Sequence, residues 1–273
     1  MTPKDSKLKN FLLRSAVGVG WAAVFIFCAW NGSSWRWAVL ATVLAVGSIF
    51  ELKKLLTPIM GKPFLLATIA GVLATLGGAW FLGAEGLLLG LLAGTLLSLI
   101  GVVRIEAKEA GRLPATFFVT LYLGLGFGAT LLFPAAGATE GRLLLVIATL
   151  WIADTGAYLV GSLIGKHKLV PRLSPKKSWE GLIGSILLAA VGSWALDSWV
   201  LDSQLGTELA LSLGVLVALV GLIGDLVISA LKRKAEVKDT GTLLPGHGGL
   251  LDRLDGFVLV IPTVWLLLRL VEL

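Results

Sequence analysis

Apolar runs of membrane-spanning length follow one another along almost the whole chain, separated by short polar or turn-forming breaks. A helix crossing a bilayer core needs roughly 20 apolar residues. Segments of that kind cover about 11–30, 35–56, 63–82, 84–103, 113–133, 141–164, 178–200, 207–231 and 250–271. The breaks carry Asn31-Gly32, Thr57-Pro58, Gly83, Gly111, Pro134 and Gly206, and two longer polar loops lie at 165–177 and 232–249. The pattern predicts an all-α, polytopic membrane protein with about nine transmembrane helices. Five fall in an N-terminal region, 1–140, and four in a C-terminal region, 141–273, that carries both long loops. The third and fourth segments, parted only by "GAEG", are the least distinct pair.

Basic residues test this count. With the N-terminus in the cytosol, 20 of the 23 Lys and Arg residues fall on the cytosolic side, and only Arg36, Arg142 and Arg269 fall outside. Adding or removing one span would scramble that asymmetry, so the N-terminus is expected in the cytosol and the C-terminus outside. The first segment has a basic flank like a signal peptide, but its apolar core is longer and no small-x-small cleavage site follows. It reads as a retained anchor.

Composition agrees with the pattern. Hydrophobic residues make up 56% of the 273-residue chain and charged ones 15%, too apolar a mixture for a soluble domain. The net charge of +6 is spread over short loops, which points to membrane orientation and away from nucleic acid. Cys28 has no partner for an internal disulfide and reads as a small buried side chain. Many of the 34 glycines lie inside the spans, where small residues let helices approach closely.

Ionisable residues within spans are costly and mark candidate sites. Asp154, Asp225, Asp252 and Asp255 all lie in or beside the cytosolic halves of the last four segments. Asp225, Ser229 and Lys232 are spaced i, i+4, i+7 and share one helix face. Asp252 and Asp255, at i, i+3, are expected on one face at the start of the last helix, where a carboxylate also offsets the helix dipole. Converging carboxylates with few thiols or imidazoles nearby suit a hard cation such as Mg²⁺. Zinc is disfavoured, because the histidines are only His167 and His247.

Around these acids lie Lys176, Lys177, Lys232, Arg233, Lys238 and Arg253. Membrane topology alone accounts for part of this charge. The turn "PGHGG" adds Gly246, Gly248 and Gly249, which allow positive φ and close backbone approach ahead of a helix N-terminus, a setting suited to an anion. A cation site, basic side chains and an anion nest together suggest a polyphosphate. His247 either donates to a phosphate oxygen or is a structural turn residue. In the upstream stretch, Asp154 and Tyr158 share a face, Gly161 and Gly165 open space, Ser178 is a candidate N-cap, and Glu180 either joins the site or offsets a helix dipole. "GSLIGK" at 161–166 lacks the spacing and the Ser/Thr of a P-loop, and no DDxxD pair is present.

These two stretches resemble the phosphatidate cytidylyltransferases, also called CDP-diacylglycerol synthases. The pattern S-x-x-x-K-R-x-x-x-x-K-D, then P-G-H-G-G, then D-R-x-D is filled by Ser229, Lys232, Arg233, Lys238, Asp239, Pro245 to Gly249, Asp252, Arg253 and Asp255. The upstream pattern D-x-x-A-Y, S-P-x-K-[ST]-x-E-G is matched by Asp154, Ala157, Tyr158, Ser174, Pro175, Lys177, Ser178, Glu180 and Gly181. The resemblance covers roughly 150–256, the N-terminal spans matching only in being apolar.

It implies an integral enzyme of a bacterial cytoplasmic (inner) membrane, with its active site facing the cytosol. Its partners would be CTP, phosphatidate and membrane lipids, and no nucleic acid. It further implies Mg²⁺, with a second metal ion and a homodimer as open alternatives. Asp225 and Asp252 are the first choice for metal ligands, followed by Asp255 and Asp154. Lys232, Arg233, Lys238, Lys177 and Arg253 would bind phosphates, and Ser229 and His247 would orient oxygens. Asp239 would bind metal or organise a basic neighbour. Lys176, Ser178, Glu180, Gly246, Gly248 and Gly249 would complete the nucleotide site. The rivals are a CTP-dependent polyprenol or phytol kinase and an ion-coupled transporter. The transporter would place its carboxylates near the midplane within inverted repeats, and no repeat is visible.

Overall fold

The computed structural model describes residues 18–29, 34–100, 110–135, 141–201, 205–243 and 248–271. Helices account for nearly all of them: α1 (Gly18–Ala29), α2 (Ser34–Met60), α3 (Leu65–Ile100), α4 (Arg112–Thr130), a single turn α5 (Leu132–Ala135), α6 (Arg142–Ile164), α7 (Trp179–Leu196), α8 (Thr207–Lys234) and α9 (Asp255–Val271). The all-α membrane class is therefore correct. Among the described residues, five of these helices are long and apolar enough to cross a bilayer.

One of the five is two arms. Gly83, at φ 65° and ψ −141°, breaks α3 in a conformation that only glycine adopts readily. The arms then run back along each other: a Cβ placed on Gly71 would meet the Gly94 Cα at 2.8 Å, while Gly90 faces Thr75 and Gly78 faces Gly86. Small residues on both arms permit this contact. The "GAEG" break is thus a hairpin of two helices.

The core-facing stripe of α2 is read from Trp37, Ala41, Leu44, Ala45, Leu52, Leu55 and Leu56, all buried at helical spacing. Helices α2, α3 and α4 pack together, and so do α6, α7 and α8. Helix α9 lies against both α4 and α8, so one hydrophobic core runs from Phe25 to Leu268 across both halves of the chain. Large apolar side chains face outward, Leu66, Phe81 and Leu163 being 83%, 79% and 80% exposed. That surface suits a lipid environment.

Three local features differ from expectation. The 165–177 loop contains an antiparallel hairpin, β1 (Lys168–Val170) and β2 (Ser174–Ser178). Helix α8 continues to Lys234, so Lys232 and Arg233 are helical rather than in the loop. The last helix starts at Asp255, after a 3₁₀ turn at Leu251–Arg253 and a Leu254 at φ −120° and ψ 3°, outside the helical region. Asp252 and Asp255 therefore do not share an α-helical face; they stand on either side of a break.

Candidate functional site

The C-terminal ends of α6 and α8 meet the N-terminal ends of α7 and α9, and the site lies where they converge. Its first determinant is small residues. A Cβ on Gly224 would stand 2.5 Å from the Asp255 carbonyl oxygen and 2.8 Å from the Gly256 Cα. The absence of a side chain lets α8 touch α9 there and brings Asp225 beside Asp255. Gly165 and Gly161 act similarly at the end of α6, where added Cβ atoms would lie 2.5 and 3.3 Å from the Ser178 hydroxyl. These glycines make room for the start of α7 rather than for a ligand. Ser178 is the N-cap of α7, accepting from the Gly181 N–H at 3.1 Å.

Two cavities share a wall formed by Leu150, Asp154, Gly221 and Asp225. The first, about 320 Å³, is mostly apolar, with Ala153, Leu169, Leu182 and Leu222 among its walls and Ser174, Lys176, Lys177 and Ser178 along one side. The second, about 350 Å³, is lined by Asp154, Asp225, Asp239, Asp252 and Asp255 against only Lys232 and Arg253. It is strongly acidic.

Asp225 sits in the shared wall, with Oδ2 2.6 Å from Lys177 Nζ and Oδ1 accepting from the Ser229 hydroxyl at 3.0 Å. Lys232, as expected from the helix face, lies about two turns on and donates to Asp252 Oδ1 at 2.7 Å. The two side chains are only 12% and 7% exposed. Asp252 Oδ2 takes the Thr240 and Gly249 amides at 2.8 and 3.0 Å. Burial alone would push the Asp252 carboxyl up; the Lys232 ammonium and those amides outweigh it and hold the group below its ordinary range. Gly248, at φ 85°, is the turn residue that delivers Gly249 to this carboxylate.

The other expected residues divide. Asp154, Asp239, Asp255 and Arg253 line the acidic cavity. Arg233 reaches outward, its Nε donating to the Leu173 carbonyl at 3.2 Å and tying α8 to the β-hairpin. Lys238 is exposed, outside both cavity linings. Glu180 holds the hairpin as well: its carboxylate lies 2.5 Å from His167 Nδ1 and accepts the His167 amide at 3.2 Å. Gly246 and His247 lie outside the described residues.

Among the described residues, no three Asp, Glu, His or Cys side chains stand close enough together to enclose a metal ion. The donor chemistry is nevertheless that of a hard cation, since the acidic cavity offers oxygens alone. Asp225 and Asp252 each have both oxygens taken by donors, Lys177 and Ser229 on the one and Lys232, Thr240 and Gly249 on the other, so a cation would displace a lysine from either. Asp154, Asp225 and Asp255 all line the acidic cavity.

One residue at this site was not singled out from the sequence. Glu51, on α2, accepts the Leu250 and Leu251 amides at 2.8 Å each and lies 2.8 Å from the Thr240 hydroxyl. A glutamate inside an apolar span is costly and was the available signal. Its neighbours Lys53 and Lys54 make it look like part of a polar helix end.

The chain matches the model of the Cytidylyltransferase family over residues 12–271 and belongs to that family. It is similar to phosphatidate cytidylyltransferase of Staphylococcus aureus (strain COL), 42% identical over 149 residues, which cover 54% of this chain and 55% of the relative. It is likewise similar to phosphatidate cytidylyltransferase of Mycobacterium tuberculosis (strain ATCC 25618 / H37Rv), 40% identical over 158 residues, or 57% of this chain and 47% of the relative. The matches thus span about half the length of these relatives.

Proposed function

We propose that the protein transfers the cytidylyl group of CTP to phosphatidate, giving CDP-diacylglycerol and pyrophosphate, at the cytosolic face of a bacterial cytoplasmic membrane. The observation that carries this reading is the pair of cavities sharing Asp225: one apolar with lysines beside it, one acidic. The first suits a lipid that brings a phosphate to its rim. The second, with five carboxylates against two cations, admits a triphosphate only together with a divalent cation.

Mg²⁺, which keeps several waters and needs only one or two carboxylates at a time, would be held from among Asp154, Asp225 and Asp255, and when bound it supplies neutralisation of phosphate charge. The chain's own residues do the rest. Lys177, at the wall, turns from Asp225 toward the lipid phosphate. Lys232, aimed by Asp252, and Arg253 meet the phosphates of the nucleotide. A lipid phosphate oxygen attacks the α-phosphorus in line, a new P–O bond forms, and the bond to pyrophosphate breaks. Both reactants are anionic, so fixed positive charge at the point of approach lowers the barrier.

The proposed topology has nine crossings, with the N-terminus in the cytosol; the 20-to-3 distribution of basic residues motivates it. Sealed membrane vesicles test activity and sidedness together. With CTP and Mg²⁺ outside, inside-out vesicles containing phosphatidate are expected to release pyrophosphate, and right-side-out vesicles to release none. Equal release from both, or release independent of phosphatidate, contradicts the reading.

A further inference from the structure

Glu51 is buried, 8% exposed, and comes from a helix that contributes no lining residue to the acidic cavity. Its Oε1 accepts the Leu250 amide, and its Oε2 accepts the Leu251 amide. Those N–H groups open the 3₁₀ turn at Leu251–Arg253, where a helical start leaves donors without partners of its own. A remote carboxylate thus caps the turn that carries Asp252.

A second link runs through Thr240. Its hydroxyl lies 2.8 Å from Glu51 Oε2 and 3.1 Å from Asp252 Oδ2, so its one proton serves either carboxylate. Glu51 grips the segment from the outside and Asp252 from the inside. The space is shaped for this contact: a Cβ on Gly249 would stand 2.6 Å from Glu51 Oε2, one on Gly241 2.5 Å from Oε1, and one on Gly47 2.8 Å from a Leu250 methyl. Gly249, in the turn expected from the sequence to suit an anion, is needed for Glu51 to approach.

A glutamate serving only to fill the core would have no reason to bond both Thr240 and the turn that leads into Asp252. Asp252 in turn fixes Lys232 at 2.7 Å on the acidic cavity. We infer that Glu51 is a positioning residue for cytidylyl transfer: it pins Thr240 and the Leu250–Leu251 turn so that Asp252 holds Lys232 in register with the nucleotide phosphates. The inference rests on the reading given under Proposed function, and it joins the N-terminal helices to the chemistry.

The test uses the full chain in mixed micelles, comparing wild type with Glu51→Gln, Thr240→Val and the double variant. Glu51→Gln keeps the volume but turns a donor toward a backbone N–H. The expected result is a kcat at least tenfold lower per folded protein, with KM for phosphatidate within twofold. Thr240→Val is expected to lower kcat several-fold, and the double variant to be no worse than Glu51→Gln alone, because both act on one segment. Wild-type kcat in folded Glu51→Gln overturns the inference, since a purely structural role shows only as lost folded protein. If Glu51→Gln fails to fold, Thr240→Val carries the test, and wild-type kcat there overturns it. Hydrogen exchange separates the two readings. The Leu250 and Leu251 amides should both be protected in wild type and at least one of them exposed in Glu51→Gln, which keeps a single acceptor oxygen; unchanged protection of both overturns the anchor. A wild-type protein inactive with CTP and phosphatidate overturns the proposed reaction and leaves the exchange result to decide the anchor.

Discussion

Asp225→Asn is expected to lower kcat by about 10²–10³, equivalent to roughly 2.7–4 kcal/mol of lost transition-state stabilisation, the scale seen for loss of one preorganised electrostatic contact. Asp225 is the one ionisable residue besides Asp154 that lines both cavities among the described residues. It also fixes Lys177 at 2.6 Å and accepts from Ser229 at 3.0 Å. Asparagine keeps the shape and one acceptor oxygen, so the Ser229 bond and the contact of α8 with α9 at Gly224 survive. What disappears is the charge that holds Lys177 at the wall and draws a cation into the acidic cavity. The measurement is CDP-diacylglycerol formed per folded protein at saturating Mg²⁺. Retention of more than a tenth of the wild-type rate contradicts the role assigned to Asp225.

Lysines separate topology from chemistry. Lys53 and Lys54 share the basic end of the bundle with Lys232, but neither lines either cavity. Lys232 is largely enclosed, its ammonium 2.7 Å from Asp252 and on the acidic cavity. Lys232→Met leaves Asp252 Oδ1 without its cation and removes a phosphate partner, and a loss of about 10²–10³ in kcat is expected. Lys53→Gln with Lys54→Gln should stay within a few-fold of wild type. Comparable losses in the two proteins, measured at equal folded amounts, would mean that the acidic cavity has no special claim on Lys232. Arg233, by contrast, ties the β-hairpin through Leu173. Its replacement is expected to act mainly by loosening that loop.

Much of this was visible in the sequence, for reasons that differ by residue. The helical spacing of Asp225, Ser229 and Lys232 fixes their common face whatever surrounds them, and the structure uses it through two hydrogen bonds. Gly83 and Ser178 were legible because a turn glycine and an N-cap are local chemistry. The β-hairpin was not, since its strands of 3 and 5 residues, one with a proline, carry no alternating pattern. The break at Leu254 was hidden because Asp-Arg-Leu-Asp reads equally well as the first turn of an α-helix. Glu51 was missed because its partners lie 189 to 200 residues away in sequence. No spacing rule links α2 to the Thr240–Leu251 segment; only packing does.

The most direct measurement follows two phosphorus atoms. Purified protein in phosphatidate-containing micelles with Mg²⁺ is given CTP labelled at the α-phosphate or, separately, at the γ-phosphate. The account predicts that α-label enters the lipid as CDP-diacylglycerol, and that γ-label appears only in pyrophosphate. Transfer of γ-label to the lipid would make the protein a CTP-dependent kinase. Lipid that stays unlabelled in both reactions would contradict group transfer at this site altogether.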